Sequence, residues 1–358
     1  MPALSYWPSM EDGLPMRGGF NRLIMAISAC CLLTVAATAA PAAEPDPAVT
    51  YANQHAAHGI KYREGWFGTG NTRLHYVEAG RGPLVILQHG FPSYWFSFFD
   101  QMEVLKTRYR VVAVDGLGAG LSAKPVDLAP YRIDRLAAQL DGLARRLNGG
   151  KRFALIGHDW GAALAFAYAQ GYPDRLTTVI GLSAPPYNLF LDLVSRDPEQ
   201  QSRSAYMERF QKLSLANLQQ PGFTERFWRG AYGGLIAAGD LTASEGDLFR
   251  QALADPLAVN GGMNWYRANL TSFSRLDASW RWPADNARIP VPALLIWGEA
   301  DRTFVPSAVD RFPDYAEQST IVRLPGINHW ATMEQPQRAN QAILTFLDRH
   351  LPGKRARR

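Results

Sequence analysis

"ALIGHDWGAAL", residues 154–164, joins a short apolar run to an alanine-rich one through a single acidic residue, Asp159, with a glycine two positions to either side. The pattern predicts a buried strand turning sharply into a helix. Gly157 and Gly161 let the two elements approach, and residue 159 is lifted above the strand end, at the helix amino terminus. The outline Gly-x-nucleophile-x-Gly usually carries serine. With aspartate at the centre two readings stand side by side: a nucleophile of another kind, or an aspartate that merely caps the helix.

Outward from this stretch the chain alternates from residue 72 onward. "RLHYVEA", "PLVILQHG", "YRVVAVDG", "RFALIGHD", "LTTVIGLSAP", "VPALLIWGEAD" and "STIVRLPG" are strand-like, "DRLAAQLDGLARRL" is helix-like, and "QRANQAILTFLDRHL" closes the chain as a helix. Apolar runs of four to eight residues rich in Val, Ile and Leu fit a sheet buried on both faces, so the fold class is α/β with a mostly parallel central sheet flanked by helices. The alternation stops between about residues 186 and 283, where helical patterns dense in Trp and Tyr replace it. An all-helical insertion between two strands is expected over the carboxyl edge of the sheet, where open α/β sheets bind ligands.

Two further stretches share the context of Asp159. "GEAD" follows the apolar run "ALLIW" and puts Asp301 at a strand's carboxyl end, and "GINHW" after "IVRL" puts His329 in the loop beyond the next strand. Nucleophile, acid, histidine is a triad order known on α/β scaffolds. In "QHGFPSYW" the amide of Phe91 follows a buried strand and is placed to pair with that of Trp160 as an oxyanion hole. His89 and His158 fit the organisation of loops better than catalysis. His55 and His58 precede the fold, His75 lies on an early strand and His350 near the tail.

The composition, 47% hydrophobic and 19% charged over 358 residues, is that of a folded globular protein and excludes a disordered chain. The net charge of +5 loses its meaning once located: the tail "KRARR" supplies four of the positive charges, leaving 33 basic against 32 acidic residues. No interleaving of basic and aromatic residues suggests nucleic-acid binding. Arg17 and Arg22 precede an apolar run from Leu23 to about Val35, followed by Ala37-Thr38-Ala39 and Ala40-Pro41-Ala42, which offer two cleavage sites. This is the pattern of a secretory signal peptide. The run is too short for a comfortable transmembrane span, so an exported, periplasmic or secreted protein is expected, with no stable membrane insertion after cleavage and with Met16 a second candidate start. "ISAC" at Cys30 keeps lipoprotein anchoring as the alternative. Cys30 and Cys31 are the only cysteines, so a protein cleaved at either alanine site has neither thiol nor disulfide. The expected organisation is a signal peptide over 1–43, a first core part over 44–185, a helical cap over 186–283, a second core part over 284–351 and a basic tail over 352–358.

With these residues in view, the chain from about residue 60 to 350 resembles the α/β-hydrolase fold family, and within it the epoxide hydrolases. "HGFPSYW", "GHDWGA" and "NHW" match that pattern, and the insertion adds "YMERFQ" and "NWYRANL", similar to the family's two tyrosine-bearing motifs. The resemblance implies Asp159 as nucleophile, Asp301 and His329 as acid and base, Tyr206 and Tyr266 as proton donors that also bind substrate beside Trp160, and a cis peptide before Pro92. There are two departures. Asn328 stands where glycine is usual, and "DGLGAGLSAKP" is closer to the haloalkane dehalogenase form of its loop.

A carboxylate, with a reference pKa of about 3.9, is ionised at neutral pH and attacks saturated carbon without first losing a proton. That argues against a common esterase. An opening epoxide needs a proton for its oxygen, which phenols supply, whereas a leaving halide needs only N–H donors. The expected function is therefore hydrolysis of a small apolar epoxide by water to a vicinal diol, through an aspartyl ester. Haloalkane dehalogenation is the alternative, and a binding protein with an idle site the reading from another class. No metal cluster or phosphate loop is present in the sequence, so no cofactor is expected; "GLGAG" lacks the context of a dinucleotide site. Composition and pattern leave the oligomeric state open.

Overall fold

The computed structural model describes residues 46–270 and 281–351. The expected signal peptide, the ten residues 271–280 of the expected cap and the basic tail lie outside them. Eight strands form one sheet: β1 (Arg63–Phe67), β2 (Leu74–Gly80), β3 (Leu84–Gln88), β4 (Arg110–Val114), β5 (Phe153–His158), β6 (Leu176–Leu182), β7 (Ala293–Gly298) and β8 (Ser319–Leu324), in the order β1-β2-β4-β3-β5-β6-β7-β8. From β4 to β8 every neighbour is parallel, and only β1 and β2 run against their partners. β3 and β5, the two central strands, are buried along their whole length. Their unbroken apolar runs follow from helices covering both faces, which leaves no solvent side for alternating polar residues.

Between β6 and β7 the described residues form helices and no strand. Four of them supply the site or its supports: Ala205–Lys212, Phe223–Ala238, Ala243–Leu253 and Pro256–Asn269. The segment Pro256–Asn269 is buried on nearly all sides, and its chain start is fixed by Asp255, whose carboxylate accepts the Leu257 amide at 2.9 Å.

Two elements lie ahead of the alternation that begins at residue 72. The helix Pro47–His55 packs Ala48, Val49 and Ala52 into the core, and β1 extends the sheet by one antiparallel edge. β1 escapes a reading by pattern because "REGWF" is half exposed and carries neither an apolar run nor clean alternation. β2 and β3, adjacent in sequence, are not neighbours in the sheet: β4 lies between them.

The helix Trp160–Gly171 follows β5 with only Asp159 between them. A methyl group on Gly157 would overlap the Gly161 carbonyl, and one on Gly161 the Gln88 carbonyl. The two glycines thus set how closely the helix approaches β5 and β3. Gly161→Ala is expected to destabilise the fold by about 1–3 kcal/mol, the usual cost of overpacking against backbone that has no room to yield. Urea denaturation checks this, and an unchanged midpoint would contradict the close approach.

Candidate active site

Asp159 has φ 55° and ψ −124°, a conformation that non-glycine residues rarely adopt and that costs about 1–3 kcal/mol. It occupies the N-cap position of its helix, but its side chain makes no capping bond. The carboxylate instead accepts the Phe91 amide at 2.9 Å on Oδ1 and faces His329 Nε2 at 3.3 Å on Oδ2. The helix-capping alternative is therefore excluded, and the sharp turn presents the carboxylate to the histidine.

His329 lies in the loop after β8. Its Nδ1 hydrogen-bonds to Asp301 Oδ2 at 2.8 Å, and Asp301, beyond β7, is fixed in turn by the Thr303 amide donating to its Oδ1 at 2.8 Å. The imidazole thus spans two carboxylates. Burial alone would lower its pKa, but the Asp301 charge, the hydrogen bonds to Asp159 and Asp301 and the Asp159 charge outweigh burial and raise it to about 10. Burial alone would raise the Asp159 pKa, yet the His329 hydrogen bond and charge, helped by the His158 ring and the Trp160 amide, hold it below the ordinary carboxylate range. At neutral pH the resting site therefore holds an imidazolium between two carboxylates.

Both oxyanion-hole candidates act on the same carboxyl group: the Phe91 amide bonds to Asp159 Oδ1 directly, and the Trp160 amide helps to keep the Asp159 carboxylate charged. The Phe91–Pro92 peptide is cis. His89 and His158 organise loops. The Gly116 amide donates to His89 Nε2 at 2.8 Å, so the His89 Nδ1–H donates to the Gly90 carbonyl at 2.7 Å. His158 Nε2–H donates to the His329 carbonyl at 2.8 Å; burial, then the nearby His329 charge, lower the His158 pKa to about 4. Asn328, the departure noted in sequence, ties its amide to Glu334 Oε2 at 2.8 Å, and the Trp330 amide binds Glu334 Oε1 at 3.0 Å. One carboxylate thereby clamps the loop on both sides of His329.

Tyr206, from the helix Ala205–Lys212, and Tyr266, from Pro256–Asn269, share a cavity of about 110 Å³ with Asp159, Asp301 and His329. Their rings stand 6.3 Å apart, and Trp160 meets Tyr266 edge-on at 5.0 Å. Burial first, then the Asp159 charge for Tyr206 and the neighbouring Tyr206 and Asp159 for Tyr266, push both phenols well above their ordinary pKa. The shift favours the protonated phenols, which can donate a hydrogen bond. A smaller apolar hollow that also reaches Asp159 is lined by Ala184, Pro185, Phe190, Met207 and Phe304 beside Trp160 and Tyr266.

Some structural participants were not singled out from sequence. His75 and Asp115 form a fully buried pair, Nδ1 to Oδ2 at 2.8 Å, and Asp115 Oδ1 accepts the Trp95 amide at 2.9 Å, anchoring the segment that follows Phe91. Tyr232 reaches the same segment from the insertion. Arg203 and Arg302 line the cavity on its Asp301 side. The signal available for Asp115 was its place at the end of "YRVVAVD", the acid that closes a buried strand.

Comparisons with known proteins bear on the fold and the family. Residues 83–336 match the α/β hydrolase fold family. The chain is 31% identical to epoxide hydrolase 3 of Xenopus tropicalis over 312 residues, which cover 84% of this chain and 80% of that protein. It is 32% identical to epoxide hydrolase A of Mycobacterium tuberculosis over 322 residues, covering 78% and 95%. A crystal structure of Bacillus megaterium epoxide hydrolase in complex with an inhibitor superposes with a TM-score of 0.73 at 26% identity, covering 79% of this chain and all of that one.

The Asp301 carboxylate leads the causes that raise His329. In Asp301→Asn the histidine is expected to titrate well below 10, because burial then opposes one carboxylate in place of two. An NMR titration of the His329 ring checks this. A titration still near 10 would assign the raised value to Asp159 alone.

Proposed function

From the membership of this chain in the α/β-hydrolase fold family, on its epoxide hydrolase-like branch, we propose that it hydrolyses an epoxide to a vicinal diol through an ester on Asp159. One observation carries the reading: an ionised carboxylate and two protonated phenols face one cavity from opposite sides, the carboxylate from the core and the phenols from the insertion.

In the first step an Asp159 oxygen attacks an epoxide carbon. The new C–O ester bond forms as the ring C–O bond breaks, and its electron pair passes to the ring oxygen, which takes a proton from Tyr206 or Tyr266. Without that proton the departing alkoxide would be a poor leaving group. Ester formation removes the Asp159 charge and with it two of the causes that hold His329 protonated. The histidine then gives its proton back to the phenolate and becomes the base that the second step requires.

In that second step neutral His329, oriented by Asp301, takes a proton from water as the water oxygen adds to the Asp159 carboxyl carbon. The developing oxyanion lies on the Asp159 oxygen that the Phe91 amide already serves, with the Trp160 amide beside the same carboxyl group. Collapse breaks the bond from the carboxyl carbon to the alkyl oxygen. His329 returns the proton to the departing diol; the Asp159 carboxyl group, left holding the second hydrogen of the water, passes it to His329 across their 3.3 Å contact, which restores the carboxylate and the imidazolium of the resting site. The apolar hollow beside Trp160 and Tyr266 suits a substrate whose flanking group is hydrocarbon. The leader-like first 43 residues put the enzyme, in the same reading, among exported proteins, periplasmic or secreted.

The covalent scheme predicts the fate of oxygen. In a single turnover with excess enzyme in heavy-oxygen water, label is expected in the Asp159 side chain and nearly none in the diol. His329→Gln is expected to form the ester and fail to release it, giving an alkyl adduct visible by mass. Label appearing at once in the diol would mean direct attack by water.

Halide displacement, the alternative chemistry, separates from epoxide opening at the tyrosines, since only the epoxide oxygen needs a proton. Loss of one such donor costs about 2.7–4 kcal/mol where no other covers for it. Each single change, Tyr206→Phe or Tyr266→Phe, is expected to fall at or below that range, and the double change to abolish diol formation while leaving any bromide release from bromoalkanes intact. A folded double variant that opens epoxides at near the original rate would remove both tyrosines from the scheme. An unmodified protein that releases bromide and leaves epoxides untouched would replace the scheme with dehalogenation.

A further inference from the structure

We propose that Tyr232, a third tyrosine of the helical insertion, is a positioning residue that ties the insertion to the Phe91 amide and so sets the oxyanion site; the inference rests on the aspartyl-ester reading above. Tyr232 lies on the helix Phe223–Ala238 and is wholly buried. Its hydroxyl donates to the Pro92 carbonyl at 3.1 Å and stands 3.0 Å from Ser93 Oγ. Its ring stacks on Phe249 of the neighbouring helix Ala243–Leu253, centroids 4.4 Å apart and planes 22° apart, and lies 5.4 Å from Trp330, the residue after His329. One side chain of the insertion thus touches both the loop that carries the Phe91 amide and the loop that carries the base.

The loop from Gly90 to Trp95 is held from two sides. On the core side His89 fixes the Gly90 carbonyl, the Ser93 amide closes a turn onto the same carbonyl at 3.0 Å, and Asp115 takes the Trp95 amide. Facing the insertion, the Phe91 ring meets Phe227 at 5.4 Å and Tyr266 at 5.9 Å. Ring packing of that kind fixes position and leaves orientation loosely determined, since dispersion has no direction. The hydrogen bond from Tyr232 is directional and grips the carbonyl of the residue next to Phe91. Without it a buried carbonyl loses its partner and the peptide is free to rotate in search of another.

The Phe91 amide is asked for most when charge develops on Asp159 during ester hydrolysis, and less when the carboxylate spends its charge in attack. Loss of the Tyr232 hydroxyl should therefore slow release of the ester more than its formation. With styrene oxide as the probe, Tyr232→Phe is expected to slow ester decay in single turnover about three- to tenfold, the range of one neutral hydrogen bond. The alkyl-enzyme then accumulates and kcat and KM fall together, because kcat/KM ends at the first irreversible step. Hydrogen exchange at the Phe91 amide, which needs no turnover, is expected to quicken. Phe249→Leu serves as the packing control: it loosens the same cluster but keeps the hydroxyl, and is expected to lower the melting temperature without accumulation of ester.

The outcomes separate the two proposals. If the unmodified protein opens epoxides with no label on Asp159, the ester reading fails, and faster Phe91 exchange in Tyr232→Phe alone upholds the positioning contact. If the ester forms but Tyr232→Phe shows the original decay rate and original exchange, the inference is overturned. A fall in kcat/KM that merely tracks a lower melting temperature, as in Phe249→Leu, overturns it as well, by assigning Tyr232 to packing.

Discussion

A carboxylate buried at the end of a strand must be kept charged if it is to attack, and the rest of this site is arranged around that requirement. Asp159 is only 7% exposed, and burial alone would drive it toward its neutral form. The Phe91 and Trp160 amides and the His329 ring offset that pressure, and all three reach the carboxylate only because its backbone stands at φ 55° above the junction of β5 and the following helix. The junction is tight enough only with glycine at 157 and 161. Backbone strain, missing side chains and the charge state of one oxygen are thus parts of a single constraint.

The same charge governs when each group acts in the proposed reaction. With two carboxylates on one imidazole, His329 is protonated in the resting site and is no base. It becomes one when the ester forms, so water is not activated before there is an ester to hydrolyse. The phenols run the other way. The Asp159 charge helps to raise them, so they hold their protons most firmly while the nucleophile is still free. Groups whose environments push their pKa values apart divide the roles without any one of them needing unusual chemistry.

Much of this was legible in sequence, for local reasons. Asp159, Asp301 and His329 each follow an apolar run that buries as a strand, and a parallel sheet delivers the ends of its strands to one edge, so order along the chain translates into convergence in space. Tyr206 and Tyr266 needed the family resemblance, since nothing local distinguishes them among 14 tyrosines. The half-exposed edge strand Arg63–Phe67 and the helix before it gave no periodic signal. The pair His75–Asp115 and the contact of Tyr232 with Pro92 join residues 40 and 140 positions apart, and pairings at that distance are set by how elements stack. Asn328 looked like a departure because glycine is usual there; its backbone is not in the left-handed region that would require glycine, and its amide and side chain bond to Glu334.

The nucleophile and the proton donors belong to different parts of the chain, and an epoxide engages both only if their separation is right to a fraction of an ångström. Ring contacts such as the edge-on meeting of Trp160 and Tyr266 set how near the insertion lies to the core. Rotation and slip are resisted by directional bonds across the boundary: Trp265 Nε1 donates to the Leu117 carbonyl at 2.9 Å, and the Asn269 side chain accepts the Ile133 amide at 2.8 Å while donating to the Tyr131 carbonyl at 2.9 Å. These bonds cluster on Pro256–Asn269, the helix that carries Tyr266. The helix that places Tyr266 over Asp159 is therefore itself tied to the core by directional hydrogen bonds, and Tyr206 meets Tyr266 ring to ring across 6.3 Å.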